Sequence, residues 1–282
     1  MKLKKLFFFF LMGVCPFSAF SQLKFEGGTL EETLEKAEKK DKLVFVLLPA
    51  PPFSAENVVY IEKDKQLFDF FNKHFFNYTA KAGTEEFRAV VKRFQIEAYP
   101  AYLFLDNQGG LIYRSSGLYS KSSQYINIAE KALDKFKSGR YLGAHEREYD
   151  KGNRSGSFLK EYILEKEKLG FFGNYTLIEE YVKQITLQQL ESFNEAVFVL
   201  KAGPLAYGKI HRLLLSEKTI YDSIYSSLPI AERTLINNRI ISNTIKEAIK
   251  TKDESLARQG ASFARSTWEK DFARGQKAYQ YI

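Results

Sequence analysis

Residues 43–48 read LVFVLL, six apolar side chains with no polar position between them. A strand with one wet face alternates polar and apolar. An unbroken run of branched and aromatic residues needs cover on both faces, as a central strand between two layers of helices has. The run ends abruptly at Pro49, Pro51 and Pro52, and proline has no amide to give to a ladder. This segment commits its part of the chain to a layered α/β arrangement.

The flanking patterns supply the layers. Residues 29–40, TLEETLEKAEKK, read as a helix with Thr29 and Glu32 as a capping box and Leu30, Leu34 and Ala37 on one face. Residues 55–61 open a helix or stay irregular. Residues 65–73 are helical, with Leu67, Phe68, Phe70 and Phe71 crowding one side; residues 75–80 form a strand. Residues 84–94 form a helix with Phe87, Val90, Val91 and Phe94 at helical spacing. A second apolar strand, 98–106, is introduced by Pro100. Residues 107–110 make a turn whose glycines supply positive φ. Residues 111–114 pair back as a hairpin, and 122–137 close the unit as an amphipathic helix.

This order, β-α-β-α-β-β-α after a leading helix, resembles the thioredoxin family over roughly residues 26–137. The resemblance implies an α/β thioredoxin-like domain in which the Tyr99–Pro100 bond is cis and faces the turn after the first strand. It also implies that the family's Cys-x-x-Cys falls near Pro51 and Ser54. Pro51-Pro52-Phe53-Ser54 stands there instead, and the chain's one cysteine is Cys15. A serine hydroxyl does not replace the thiolate that disulfide exchange requires. The tryptophan that precedes the family's first cysteine is missing too; Trp268 is the only one. What the resemblance leaves is a binding rim of Pro51, Pro52, Phe53, Ser54, Tyr99 and Pro100, able to hold an extended peptide by edge pairing. The plainer alternative is that the prolines end a strand and the aromatics pack.

Residues 1–21 have the pattern of a secretory signal peptide: Lys2, Lys4 and Lys5, a short apolar core from Leu6 to Val14, and Ala19-Phe20-Ser21 before a cut at Gln22. A lipoprotein leader on Cys15 fits less well, because Val14 precedes the cysteine and Pro16 follows it. Export to the periplasm or beyond a bacterial envelope is the expectation. The mature chain then has no cysteine in a compartment where many proteins use disulfides. Losing the leader's three lysines takes the formal charge from +8 to +5. No basic run interleaved with aromatics marks a nucleic-acid groove, and no other stretch is apolar enough to span a bilayer.

From His145 onward the strand-like runs give way to helical ones, at 157–170, 176–184, 187–200, 204–216, 217–228, 231–251 and 253–272. The expected organisation is a signal peptide at 1–21, a thioredoxin-like domain at 22–142 and an all-α helical-hairpin domain at 143–282. The helical part either presents a face to partners or caps the first domain. His145, in HEREYD, reads as part of a solvated linker, and the Glu/Lys alternation at 161–167 as a helix surface. His74, His145 and His211 lack ligand spacing, so no metal or cofactor is expected. Asn77, Asn153 and Asn174 begin glycosylation triplets.

The expected function is an exported, redox-inactive thioredoxin-like module of the bacterial envelope, protein- or peptide-binding or chaperone-like. The enzyme alternative is a glutathione-transferase-like arrangement. Against it, Leu105-Asp106-Asn107 replaces the acid-Ser pair that follows that family's proline strand. A thiol–disulfide interchange protein that has lost its cysteines is the third reading.

Overall fold

The computed structural model describes residues 22–49, 64–216 and 218–268. The expected α/β order is present. Helix α1 (Leu30–Lys40) begins with the capping box: the Glu32 amide donates to Thr29 Oγ1 at 3.1 Å, and the Thr29 amide donates to Glu32 Oε2 at 3.0 Å. Then come β1 (Leu43–Leu48), α2 (Lys65–His74), β2 (Phe75–Thr79), α3 (Glu85–Arg93), β3 (Ala101–Leu105), β4 (Leu111–Ser116) and α4 (Ser122–Ser138).

The sheet runs β2-β1-β3-β4. β1 is parallel to β2 and antiparallel to β3, and β3 is antiparallel to β4. The two inner strands are buried along their whole length. Period-2 alternation then sorts their side chains into two cores. Leu43, Phe45 and Leu47 of β1 join Tyr102 and Phe104 of β3 on one face, under Leu67 and Phe71 of α2 and Tyr125 and Ile128 of α4. Phe45 meets Phe71 edge-on at 4.9 Å between centroids. Val44, Val46, Leu48, Leu103 and Leu105 face the other way, under Leu30 of α1 and Phe87 of α3.

That second core does not stop at the sheet. It continues without a break into Leu142, Leu159, Tyr162 and Ile163 and on through the helical region. The helices are α5 (Leu142–Asp150), α6 (Gly156–Lys168), α7 (Tyr175–Val182), α8 (Leu187–Leu190), α9 (Phe193–Ala202), α10 (Lys209–Ser216), α11 (Lys218–Ser227), α12 (Ile230–Thr251) and α13 (Glu254–Trp268).

Four sequence expectations need correction. HEREYD is no linker. It lies in α5, with His145 6% exposed and its ring stacked at 5.9 Å on Tyr162 and 5.8 Å on Phe158. The 161–167 stretch is not a free surface: Glu165 is buried and paired with Lys135 of α4, and Glu167 is paired with Arg239 of α12 at 3.0 Å. The helix expected at 187–200 is two, broken at Glu191–Ser192. The one expected from 204 starts at Lys209, because residues 203–206 are held as a turn by α12: Asn243 Nδ2 donates to Gly203 O at 2.7 Å, and the Ala206 amide donates to Thr244 Oγ1 at 2.8 Å. Two of the glycosylation triplets begin with buried residues, Asn77 and Asn174, which the folded chain does not present.

Candidate functional site

Of the six rim residues, Tyr99 and Pro100 are in the structure; Pro51, Pro52, Phe53 and Ser54 lie outside the described residues. The Tyr99–Pro100 bond is cis. Pro100 is buried, and its carbonyl accepts from the Gly117 amide at 2.9 Å. Tyr99 is half-buried and stacks on Phe87 at 5.8 Å with 19° between the rings. Burial raises the pKa of its hydroxyl.

The β3–β4 register begins only at Ala101 opposite Ser116. Among the described residues, the amides of Ala98 and Tyr99 have no backbone partner. One residue beyond Gly117, Leu118 is 73% exposed. Tyr119, next along, turns inward: its ring stacks on Tyr102 at 5.5 Å and its hydroxyl bonds Ser115 Oγ. Among the described residues the rim therefore combines backbone amides without a backbone partner, one half-exposed aromatic and one exposed aliphatic side chain. Leu118 was not a sequence candidate. Its signal was a lone leucine in Gly117-Leu118-Tyr119-Ser120, a polar-looking turn between a strand and a helix.

Asp106 stands where the transferase comparison would want a ligand-gripping acid. It is 1% exposed and fully occupied. Its Oδ1 accepts from the amides of Gln108 at 2.9 Å and Gly110 at 2.7 Å. Its Oδ2 accepts from Tyr141 Oη at 3.0 Å and Arg147 Nη2 at 2.7 Å. Burial, with the Asp106 carboxylate beside it, pushes the Tyr141 hydroxyl up to about 12. This carboxylate builds its own turn and ties α5 to it, leaving no lone pair for a ligand.

A second concave place lies in the helical region. A cleft of about 220 Å³ opens between α5, α6 and the start of α7, with Tyr149, Tyr162, Lys166 and Asn174 in its walls. None of these residues stood out in the sequence as a binding residue; Asn174 was marked only as the start of a glycosylation triplet. Lys166 sits in a Glu/Lys alternation, and Asn174 follows a glycine in what reads as a plain turn. Among the described residues no group of three His, Cys, Asp or Glu side chains could hold a metal ion, and no helix is long and apolar enough to cross a membrane.

No family model matches this chain, and no curated protein matches it in sequence. Among solved structures, it is similar to a disulphide-isomerase candidate from Bacteroides thetaiotaomicron, at 26% identity and a TM-score of 0.36, over 40% of this chain and 94% of that one. It is also similar to DsbH oxidoreductase, at 12% identity and a TM-score of 0.34, over 43% of this chain and 92% of that one.

Proposed function

We propose that this protein is an exported, thiol-independent binding module that holds an extended stretch of a partner protein or peptide at the rim beside Tyr99 and Pro100. The observation that carries this reading is that, among the described residues, the amides of Ala98 and Tyr99 have no backbone partner, while Leu118, one residue beyond the Gly117 that bonds the Pro100 carbonyl, is exposed. An extended chain can add to such an edge through its backbone and seat a side chain on the apolar neighbour. The sequence supports binding without exchange, because no cysteine follows Cys15. The leader at residues 1–21 supports work in the bacterial envelope.

The test is fluorescence anisotropy of a panel of unstructured labelled peptides against the mature chain, with and without dithiothreitol. Binding is expected to be indifferent to the reductant. Binding energy concentrates in a few anchors, so Leu118→Lys and Tyr99→Ala should each weaken capture by about tenfold, or roughly 1.4 kcal/mol. Leu118→Lys is the cleaner variant, since so exposed a side chain contributes little to the core and the melting temperature should stay put. If both variants bind the panel as the wild type does, the rim is packing and the proposal fails.

A further inference from the structure

Residues 22–26 lie along the outer edge of β2, and they are held there by more than a strand ladder. Phe25 forms a single parallel bridge with Asn77, and the Glu26 amide donates to the Asn77 carbonyl at 2.7 Å. The other backbone bonds to this segment come from two asparagine side chains. Asn72 reads two peptide groups at once: its Oδ1 accepts from the Lys24 amide at 3.0 Å, and its Nδ2 donates to the Gln22 carbonyl at 2.8 Å. Asn77 Nδ2 donates to the Lys24 carbonyl at 3.1 Å and to Asn72 Oδ1 at 3.0 Å, which fixes the Asn72 carboxamide in place. Contacts to the main chain hold any extended segment, and the pockets for alternate side chains then choose among them.

The side chains alternate as in a strand. Gln22 and Lys24 are exposed, while Leu23 and Phe25 are half-buried and pack against the core between the sheet and the helices α2 and α4. Glu26 pairs with Lys36 of α1 at 2.9 Å. Leu23 does not fill its seat. Beside it remains a hollow of about 10 Å³, walled by Phe45, Leu67, Phe71, Tyr102 and Tyr125. That is about the room of one water, but apolar walls give a water nothing to bond. Side chains that face such a void forfeit dispersion contacts. Behind the segment stand Gly27 and Gly28, both exposed, the second at φ +92°. They make a two-residue pivot between the segment and α1.

An edge strand needs cover, and cover alone would explain a segment that fits. This one underfills its main seat and hangs on a pivot, while the edge beneath it reads backbone through fixed carboxamides. We propose that the outer edge of β2 is a docking site for an extended strand of a partner protein, with the pattern aromatic–any–apolar–acid, and that residues 22–26 cover the site until such a strand displaces them. The resident segment is the template. Leu23, Lys24, Phe25 and Glu26 mark the four places, and the void beside Leu23 marks where a larger ring gains over the resident leucine. Lys36 reads the acid. The site is separate from the rim, since Pro100 leads into β3 and β1 lies between β3 and β2. Because the cover is tethered, it competes at an effective concentration on the order of millimolar. A partner strand must bind the uncovered edge more tightly than that to take the place.

The experiment uses residues 22–282 and two fluorescein-labelled peptide amides, Gln-Leu-Lys-Phe-Glu and Gln-Phe-Lys-Phe-Glu. In the protein, Leu23→Asp with Phe25→Asp releases the cover. This variant should give saturable anisotropy with both peptides, and the aromatic one should bind about fourfold or more tighter, the gain for burying one further methylene. The wild type should bind both at least about tenfold more weakly, because its own segment competes. Asn72→Ala added to the released variant should cost about tenfold, and Tyr99→Ala should change nothing, which separates this edge from the rim. A second measurement needs no variant. Excess aromatic peptide should speed hydrogen exchange at the Lys24 and Glu26 amides of the wild type, as their partners are taken over. If the released variant melts too low to be used, this exchange decides the matter. No saturable binding to a folded released variant, equal binding to it and to the wild type, a leucine peptide as good as the aromatic one, or exchange untouched by the peptide would each overturn the proposal.

Discussion

His211 lies in α10 with no exposed surface. Its Nδ1 accepts from the Tyr207 amide at 2.9 Å, and its ring meets Phe263 edge-on at 4.9 Å. An accepting Nδ1 requires the neutral imidazole. Burial accordingly holds the pKa down at about 4, against 6.5 for a free side chain. The folded state thus binds this proton more weakly than the unfolded chain. Between pH 6.5 and 4 the unfolded state carries the extra proton, so stability falls as pH falls through that window and is fully present above it. Over that window this one group is worth roughly 3 kcal/mol. Urea unfolding of the wild type should lose stability steeply from pH 6.5 to 4, and His211→Gln, which cannot take the proton, should lose less by about that amount. Parallel pH profiles for the two chains would show that His211 does not control acid stability.

At the scale of elements, α5 shows where local sequence stops being informative. Its start lies against the β3–β4 turn: a Cβ on Gly143 would sit 2.4 Å from Gly110 Cα and 2.7 Å from Gly110 C. Alanine is the better helix former by about 1 kcal/mol, so propensity alone predicts that Gly143→Ala stabilises α5. The contact predicts the reverse, because backbone cannot step aside as a side chain can. Gly143→Ala should cost about 1–3 kcal/mol, read as a lower urea midpoint. A midpoint at or above the wild type would mean that the two segments part easily. The same contrast explains what could be read from sequence. α1, β1 and β3 carry their instructions locally, in a capping box and in unbroken apolar runs. α5 has no side-chain cap and a glycine in its first turn. It is held from outside, through Gly110, through Asp106 on Arg147 and through the rings around His145. The cleft was illegible for a related reason. Lys166 and Asn174 become unusual only once burial removes the water that would otherwise serve them.

For the whole molecule, the change of composition near residue 143 suggests a division, but the packing runs across it. One face of the sheet shares its apolar core with Leu142, Leu159 and Tyr162. Three basic side chains reinforce that junction: Lys135 pairs with Glu165, Arg147 pairs with Asp106, and Arg114 donates to the Phe94 carbonyl while lying over the Phe171 ring at 4.3 Å. A chain ended after residue 142 keeps every strand yet uncovers the part of that core that α5 and α6 roof over. Arg114 loses its aromatic partner, and Asp106 loses Arg147. For a unit of that size each kcal/mol lost lowers the melting temperature by about 4–8 °C, so residues 22–142 alone should melt at least about 10 °C below the intact chain and bind a dye for exposed apolar surface. Residues 22–282 together should unfold in one transition. If they instead unfold in two steps, the first half of the chain melting alone as it does in the whole, then the sheet owes nothing to the helices, and the rim and the helices belong to two independent machines.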